Sequence, residues 1–407
     1  MEQKTVLFES DKEAGLPALP DYDSCLVNFA GSVIRHFGVK SDVKTIPMAD
    51  RYLEKDRKNV VVLLLDAMGI SIIEKHLAPD GFFRSHLAGS YSSVFPPTTV
   101  AATTSILSAQ YPSEHSWLGW DGYYPQLDKN VTVYLNIDQR QEVGSPFSRG
   151  GIGECPIDAD GHPSVEEPVA AADYHVAGKY NPFEDIVTKI RKAGTDAFFS
   201  SPHADPPMPT VDDVLGRIKS LCDEPGKKFI YAYWNEPDHT MHLIGTVSPE
   251  SHEMVVELEK KVEELVQGLS DTLFFITADH GHMDSENICI LDHPEIMKCL
   301  VRMPSIEPRV LNLFIKDEYK EEFPALFKKE FGDRFALLKK DEVIAKKLFG
   351  PGTEHPNFRG MLGDYLAIAI SDLSIFNTHK EMILMPGGHA GLTKEELEIP
   401  LIAIECE

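Results

Sequence analysis

No stretch of this chain approaches the roughly 18–20 uninterrupted apolar residues of a membrane-spanning helix, so no membrane span is expected. The opening segment, MEQKTVLFESDKEAGLPALP, lacks a cationic end followed by an apolar run and does not read as a secretory signal. Cysteines are few and scattered (Cys25, Cys155, Cys222, Cys289, Cys299, Cys406), with no Cys-x-x-Cys pair. That argues against thiolate metal sites, and the expectation is reduced, mostly buried thiols in a cytoplasmic protein. Positive charge is also short. Lys and Arg number 39 against 64 Asp and Glu, a formal net charge of −25. Such a surface repels nucleic-acid polymers and anionic membranes. It would repel a phosphate ester as well, unless divalent cations reverse the sign locally. No internal repeat or low-complexity tract stands out.

What is present is an alternation of short apolar runs with helical patterns, the signature of parallel βαβ units. The 407 residues suffice for one large α/β core plus an inserted subdomain. Expected strands are Val60–Leu65, Tyr91–Phe95, Val131–Leu135, Ala197–Ser200, Phe229–Trp234 and Thr272–Thr277. Their continuous hydrophobicity suits a sheet covered on both faces. Expected helices are Thr99–Ser108, Pro182–Ala193, Val211–Cys222 and Pro249–Leu269, the last with apolar residues at helical spacing between opposing charges. Gln141–Ala177, rich in Gly, Pro and Asp, reads as a long surface loop. RVLNLFIK, EEFPALFKKEF, RFALLKK and DEVIAKKLF read as strand, helix, strand, helix. The expected organisation is a core of residues 1–305 and 350–407 with a small α+β cap inserted at 306–349. GDYLAIAIS then returns the chain toward His389.

Seven residues carry chemistry: Asp66, Thr99, Asp238, His242, Asp279, His280 and His389. Most follow an expected strand, and strand ends in an open α/β sheet form the ligand crevice. Asp66 follows VVLLL; alone it reads as a polar residue opening a turn before Gly69. Thr99 follows FPPT and opens TVAATTSILS. Proline disfavours helix before it, so Thr99 sits at a helix N-terminus, where backbone N–H groups favour an anion. A plain N-cap is the alternative, and Thr98 is the competing nucleophile. Asp238 and His242, four apart, share a face if the segment turns helical; His239 is the rival ligand. Asp279 and His280 end the buried run LFFITA, with Gly281 tolerating the bend that adjacent ligands need. His282 and Asp284 read as supporting or surface residues. His389 lies in GGHAG, where glycines permit close backbone approach. Together these donors suit two divalent cations facing a hydroxyl nucleophile.

The order Asp, Thr, Asp-x-x-x-His, Asp-His-Gly, Gly-x-His resembles the alkaline phosphatase superfamily, in particular its nucleotide pyrophosphatase/phosphodiesterase branch. The resemblance runs from about residue 60 to the C-terminus. It implies a mostly parallel sheet sandwiched between helices. It implies one metal held by Asp238, His242 and His389, and a second held by Asp66, Asp279 and His280 with Thr99 bound to it. The proline before the nucleophile favours Thr99 over Thr98. Zinc is the metal implied, with manganese or iron allowed. The implied chemistry is hydrolysis of a small phosphate ester, a phosphodiester or nucleotide pyrophosphate, through a phosphothreonine. Three departures bear on it. TVAA replaces the sulfatase CxPxR-like motif. No arginine lies between Arg84 and Arg140 to hold phosphate. The neighbourhood where the branch places a phosphate-binding Asn reads SWLGWDG, with Trp117, Trp120 and Tyr123 as a candidate stacking wall or as core. A phosphomonoesterase or phosphonate hydrolase would use the same residues. A metal-stabilised binding protein would have no need of the hydroxyl.

Overall fold

A computed structural model describes residues 9–13, 15–139 and 169–407. Its centre is a six-stranded sheet in the order Leu87–Ser92, Glu398–Cys406, Thr272–Thr277, Asn59–Leu65, Lys228–Trp234, Asp196–Ser200. Asn59–Leu65 pairs in parallel with both neighbours, and Asp196–Ser200 pairs in parallel with Lys228–Trp234. Only Glu398–Cys406 runs against the strands beside it. Every residue of Asn59–Leu65 and Thr272–Thr277 is buried, as apolar runs sandwiched between helix layers must be. The expected α/β fold with a mostly parallel sheet is the fold observed.

Local signals placed several elements well. The helix Thr99–Ser108 has the expected limits. Val211–Asp223 starts at Thr210, whose hydroxyl accepts from Asp213 N–H. Pro249–Gln267 starts at Ser248, which accepts from Ser251 N–H. Others shift. The helix expected from Pro182 begins at Ile186, because Asp185 caps it by accepting from Thr188 N–H at 2.8 Å. The strand expected at Tyr91–Phe95 is Leu87–Ser92. Beyond it Ser93 N–H bonds to Leu397 O, and the chain crosses the sheet end toward Thr99. The strand Glu398–Cys406 is absent from the expected set.

A second sheet is wholly antiparallel and takes seven strands: Phe335–Lys339, Tyr365–Ala369, Val310–Leu313, Ser305–Glu307, Asp121–Tyr124, Lys129–Thr132, Ile137–Gln139. The segment 306–349 contributes strands to this sheet alongside segments before and after it. The segment expected as Val131–Leu135 is the strand Lys129–Thr132 of this sheet and not part of a βαβ unit. Tyr365–Ala369 also belongs here, with Leu373–Phe376 and the helix His379–Leu384 between it and His389. Of the loop expected at Gln141–Ala177, residues 141–168 lie outside the described part, as does Cys155. The five cysteines that are described are free and buried. Among the described residues no helix is long and apolar enough to cross a membrane.

Candidate active site and metal centre

The parallel strands deliver the acidic residues. Asp66 follows Asn59–Leu65, its N–H held by Trp234 O at 3.0 Å. Asp279 follows Thr272–Thr277, one strand over. Asp238 opens the helix Asp238–Ile244 beyond Lys228–Trp234, and its N–H bonds to Asp66 O at 3.2 Å. That helical turn puts His242 beside Asp238, Nε2 to Oδ1 3.4 Å, as the four-residue spacing predicts. His389 arrives on a loop fixed by two short strands, Gly387–Gly388 against Met283–Asp284. The backbone is forced where two of these residues sit: Ala67 and Ala390, next in chain to Asp66 and His389, have φ of 59° and 97°, rare for residues with a Cβ. Gly281 is required, because a Cβ there would lie 1.9 Å from Glu395 O.

All seven expected residues meet. Thr99 Oγ1 lies 3.4 Å from both Asp66 oxygens and 3.2 Å from His280 Nε2. His280 Nε2 is 3.3 Å from Asp66 Oδ1 and 3.5 Å from Asp279 Oδ2. Beside this group, His389 Nε2 faces His242 Nε2 at 3.1 Å and Asp238 Oδ1 at 3.7 Å. The His280 and His389 rings stack, centroids 3.9 Å apart, joining the groups.

The histidine tautomers follow from their partners. His280 Nδ1 faces Gly281 O at 2.9 Å, His242 Nδ1 faces Gly387 O at 2.9 Å, and His389 Nδ1 faces Pro97 O at 3.2 Å. A carbonyl only accepts, so each Nδ1 carries the proton and each Nε2 turns a lone pair inward. Two lone pairs facing at 3.1 Å, with Asp238 Oδ1 and Asp279 Oδ2 lacking hydrogen-bond partners, are unfavourable without a cation between them. Electrostatics agree. Burial, then Asp279 and Asp238, drives the Asp66 carboxyl well above its ordinary range. Burial, then Asp279, Glu236 and Glu307, does the same to Asp238. Burial lowers His242 to about 4 and holds His389 well below its usual value. Crowded acids beside imidazoles make a candidate cation site. Four donors at 2.0–2.1 Å from a tetrahedral ion lie about 3.3–3.4 Å apart. Thr99 to His280, Thr99 to Asp66, His280 to Asp66 and His280 to Asp279 are separated by 3.2 to 3.5 Å, and the Asp66, Asp279 and His280 donors lie within 4.8 Å of one another, so these residues fit a divalent metal.

The competitors resolve differently. Thr98 is buried and its hydroxyl donates to Glu307 Oε1 at 2.6 Å. His239 is exposed and belongs to none of the donor clusters. Asp284 is exposed and accepts from Thr246 N–H at 2.5 Å. Trp117 is core, its Nε1 donating to Asn181 O. Tyr123 packs on Phe314 and Arg302 away from the cluster. One residue was missed. Tyr233 donates its hydroxyl to Asp66 Oδ2; its place next to the strand end was the available signal. His282, read as supporting or surface, is 1% exposed and brings Nε2 to 3.6 Å from Asp238 Oδ1.

A hydroxyl at a helix start, facing acids and imidazoles at the ends of a mostly parallel sheet, marks a phosphoric ester hydrolase of the alkaline phosphatase superfamily. Residues 60–357 match the type I phosphodiesterase / nucleotide pyrophosphatase family, and the chain belongs to that family, whose members depend on metal. Similar solved structures include an inactive variant of murine ectonucleotide pyrophosphatase / phosphodiesterase 5 in complex with AMP. It is 16% identical, with 86% of this chain and 88% of that chain covered and a TM-score of 0.59. A second structure of the murine protein (16%, 85% and 88%, TM-score 0.60) and one of the human protein (15%, 85% and 87%, TM-score 0.58) are similar to the same degree. At such identities the likeness concerns the fold. No curated protein matches the chain.

Proposed function

We propose that this protein hydrolyses small phosphodiesters or nucleotide pyrophosphates through a phosphothreonine on Thr99. The observation that carries the reading is Thr99 Oγ1 at a helix N-terminus, 3.2 Å from His280 Nε2 and 3.4 Å from the Asp66 carboxylate. Asp66, Asp279, His280 and Thr99 would hold one divalent cation, and Asp238, His242 and His389 a second, zinc suiting the mixed donors and manganese or iron allowed. Such ions, when bound, lower the pKa of a coordinated hydroxyl and stabilise developing oxyanions. Thr99 Oγ1 loses its proton and attacks phosphorus in line, the leaving oxygen departs with the bonding pair and takes up a proton, and water then cleaves the Thr99–phosphorus bond, its oxygen going to phosphorus and a proton restoring the Thr99 hydroxyl. The backbone N–H groups at the start of Thr99–Ser108 stabilise the phosphoryl oxygens.

A diester is favoured over a monoester by the charges nearby. Arg309 is fully engaged with Glu396, and Glu307 lies close enough to raise Asp238. A monoester dianion would meet that acidity without an arginine. The AMP held by the murine relative is the kind of nucleoside monophosphate that cleavage of a nucleotide diester or pyrophosphate releases, which supports a nucleotide-containing substrate. The test is turnover of bis-aryl and mono-aryl phosphates by metal-saturated wild type and Thr99→Ala. Strong monoester preference would reverse the substrate choice. Two bound metals without Thr99-dependent turnover on any ester would favour a binding protein.

A further inference from the structure

We propose that His282 is a fourth protein ligand of the cation held by Asp238, His242 and His389, which makes that centre nitrogen-rich. The proposal rests on the two-cation reading above. Asp238 Oδ1 is nearly equidistant from three imidazole nitrogens: His242 Nε2 at 3.4 Å, His282 Nε2 at 3.6 Å and His389 Nε2 at 3.7 Å. With His242 Nε2 and His389 Nε2 3.1 Å apart, these spacings lie within about 0.4 Å of the 3.3–3.4 Å that tetrahedral ligands of one zinc-sized ion adopt for metal–donor bonds of 2.0–2.1 Å. The His282 ring lies edge-on to both partners, centroids 4.6 Å from His242 and 5.7 Å from His389.

Two further observations separate His282 from a packing residue. It is 1% exposed, yet neither ring nitrogen meets hydrogen-bond geometry with a described partner. Buried polar atoms are otherwise almost always satisfied, and here Asp238 Oδ1, itself without a hydrogen-bond partner, lies 3.6 Å from His282 Nε2. The fold also makes room for the ring. A Cβ on Gly387 would lie 2.6 Å from His282 Cε1, and the pairing of Gly387–Gly388 with Met283–Asp284 sets that approach. The other three histidines bond Nδ1 to a carbonyl at 2.9–3.2 Å; His282 has only a looser backbone interaction with Met283, short of that geometry.

The two centres then differ in kind. Asp238, His242, His282 and His389 offer three nitrogens and one oxygen. Asp66, Asp279, Thr99 and His280 offer three oxygens and one nitrogen. The first selects nitrogen-preferring ions such as zinc or cobalt(II), and the second tolerates harder ions such as manganese.

The test strips the full-length protein of metal and titrates zinc, then cobalt(II), into wild type, His282→Ala and His282→Gln against a competing chelator. Wild type should take up two ions. The variants should bind one of them about 10- to 100-fold more weakly and lose part of the tetrahedral cobalt absorption, while the other ion is unaffected. Two ions at wild-type affinity with an unchanged cobalt spectrum in both variants would overturn the proposal and leave the two-cation reading standing. Fewer than two ions in wild type would remove that reading and the proposal with it. Should the variants fail to fold, the zinc-loaded wild-type crystal structure decides: His282 Nε2 at bonding distance from the ion supports the assignment, and a ring turned away ends it.

Discussion

Arg309 and Glu396 form a buried two-point ion pair, Nε to Oε1 at 2.6 Å and Nη2 to Oε2 at 3.0 Å. Neither residue is exposed to solvent. Glu396 also accepts from Gly391 N–H at 2.7 Å, and its carbonyl accepts from Gly281 N–H at 2.9 Å. Arg309 donates its remaining N–H groups to Leu373 O and Ser371 O. The pair thus ties the second sheet to both the loop after His389 and the turn after His280.

Arg309→Met should strand the Glu396 carboxylate inside the protein and lower stability by about 3–5 kcal/mol. Urea denaturation measures this. A companion Glu396→Leu change should recover part of the loss. A single variant within about 0.5 kcal/mol of wild type would show that the pair does not hold the loop.

Thr99→Ala should reduce turnover by a factor on the order of 10³ or more, because the atom that bonds phosphorus is gone. Thr99→Ser should keep measurable activity. Acid quench of wild type with a labelled diester should trap label on Thr99, and no trapped label together with an active alanine variant refutes the covalent route.

Tyr233→Phe removes the hydroxyl that donates to Asp66 Oδ2. Partners that orient a ligand carboxylate typically contribute 10- to 100-fold in metal affinity or activity, so a loss of about that size is expected in metal titration. Thermal stability should change little, and affinity equal to wild type would assign Tyr233 to packing alone.

His115 predicts a pH dependence remote from the cluster. Its Nδ1 accepts from Trp117 N–H at 3.0 Å and its Nε2 faces Ser105 Oγ at 3.0 Å. Burial, then His355, lowers it to about 3 from its ordinary value near 6.5. Below 6.5 the unfolded chain binds a proton that the folded chain refuses, so stability is full above that pH and falls as pH drops toward 3. The slope from this residue is at most about 1.4 kcal/mol per pH unit. Denaturation midpoints of wild type and His115→Gln between neutral and mildly acidic pH should diverge, and parallel curves would refute the assignment.

The parts of the fold that were legible were those written locally. VVVLLL, KFIYAYW and TLFFIT carry the continuous hydrophobicity of covered strands, and FPPTT carries its own break and helix start. The acids at those strand ends, and Asp238 with His242 four residues on, followed directly. The second sheet was not legible, because its strands are short and pair across the chain; Ser305–Glu307 joins Asp121–Tyr124 at one residue pair, Ile306 with Asp121. The burial of His282 was not legible for a related reason. Its approach to Asp238 depends on Met283–Asp284 pairing with Gly387–Gly388, two-residue strands too short to leave a periodic trace. Glu398–Cys406 was passed over, with Pro400 interrupting its apolar run.

The donors around Asp238 are gathered from positions as distant as 238 and 389. During synthesis the earlier ligands emerge well before His389 exists, and domains form from the N-terminal side as the chain lengthens. A ribosome-bound chain halted short of that histidine would expose the acids with an incomplete cage. The Asp238 cluster is therefore complete only once the C-terminal loop has brought His389 into place.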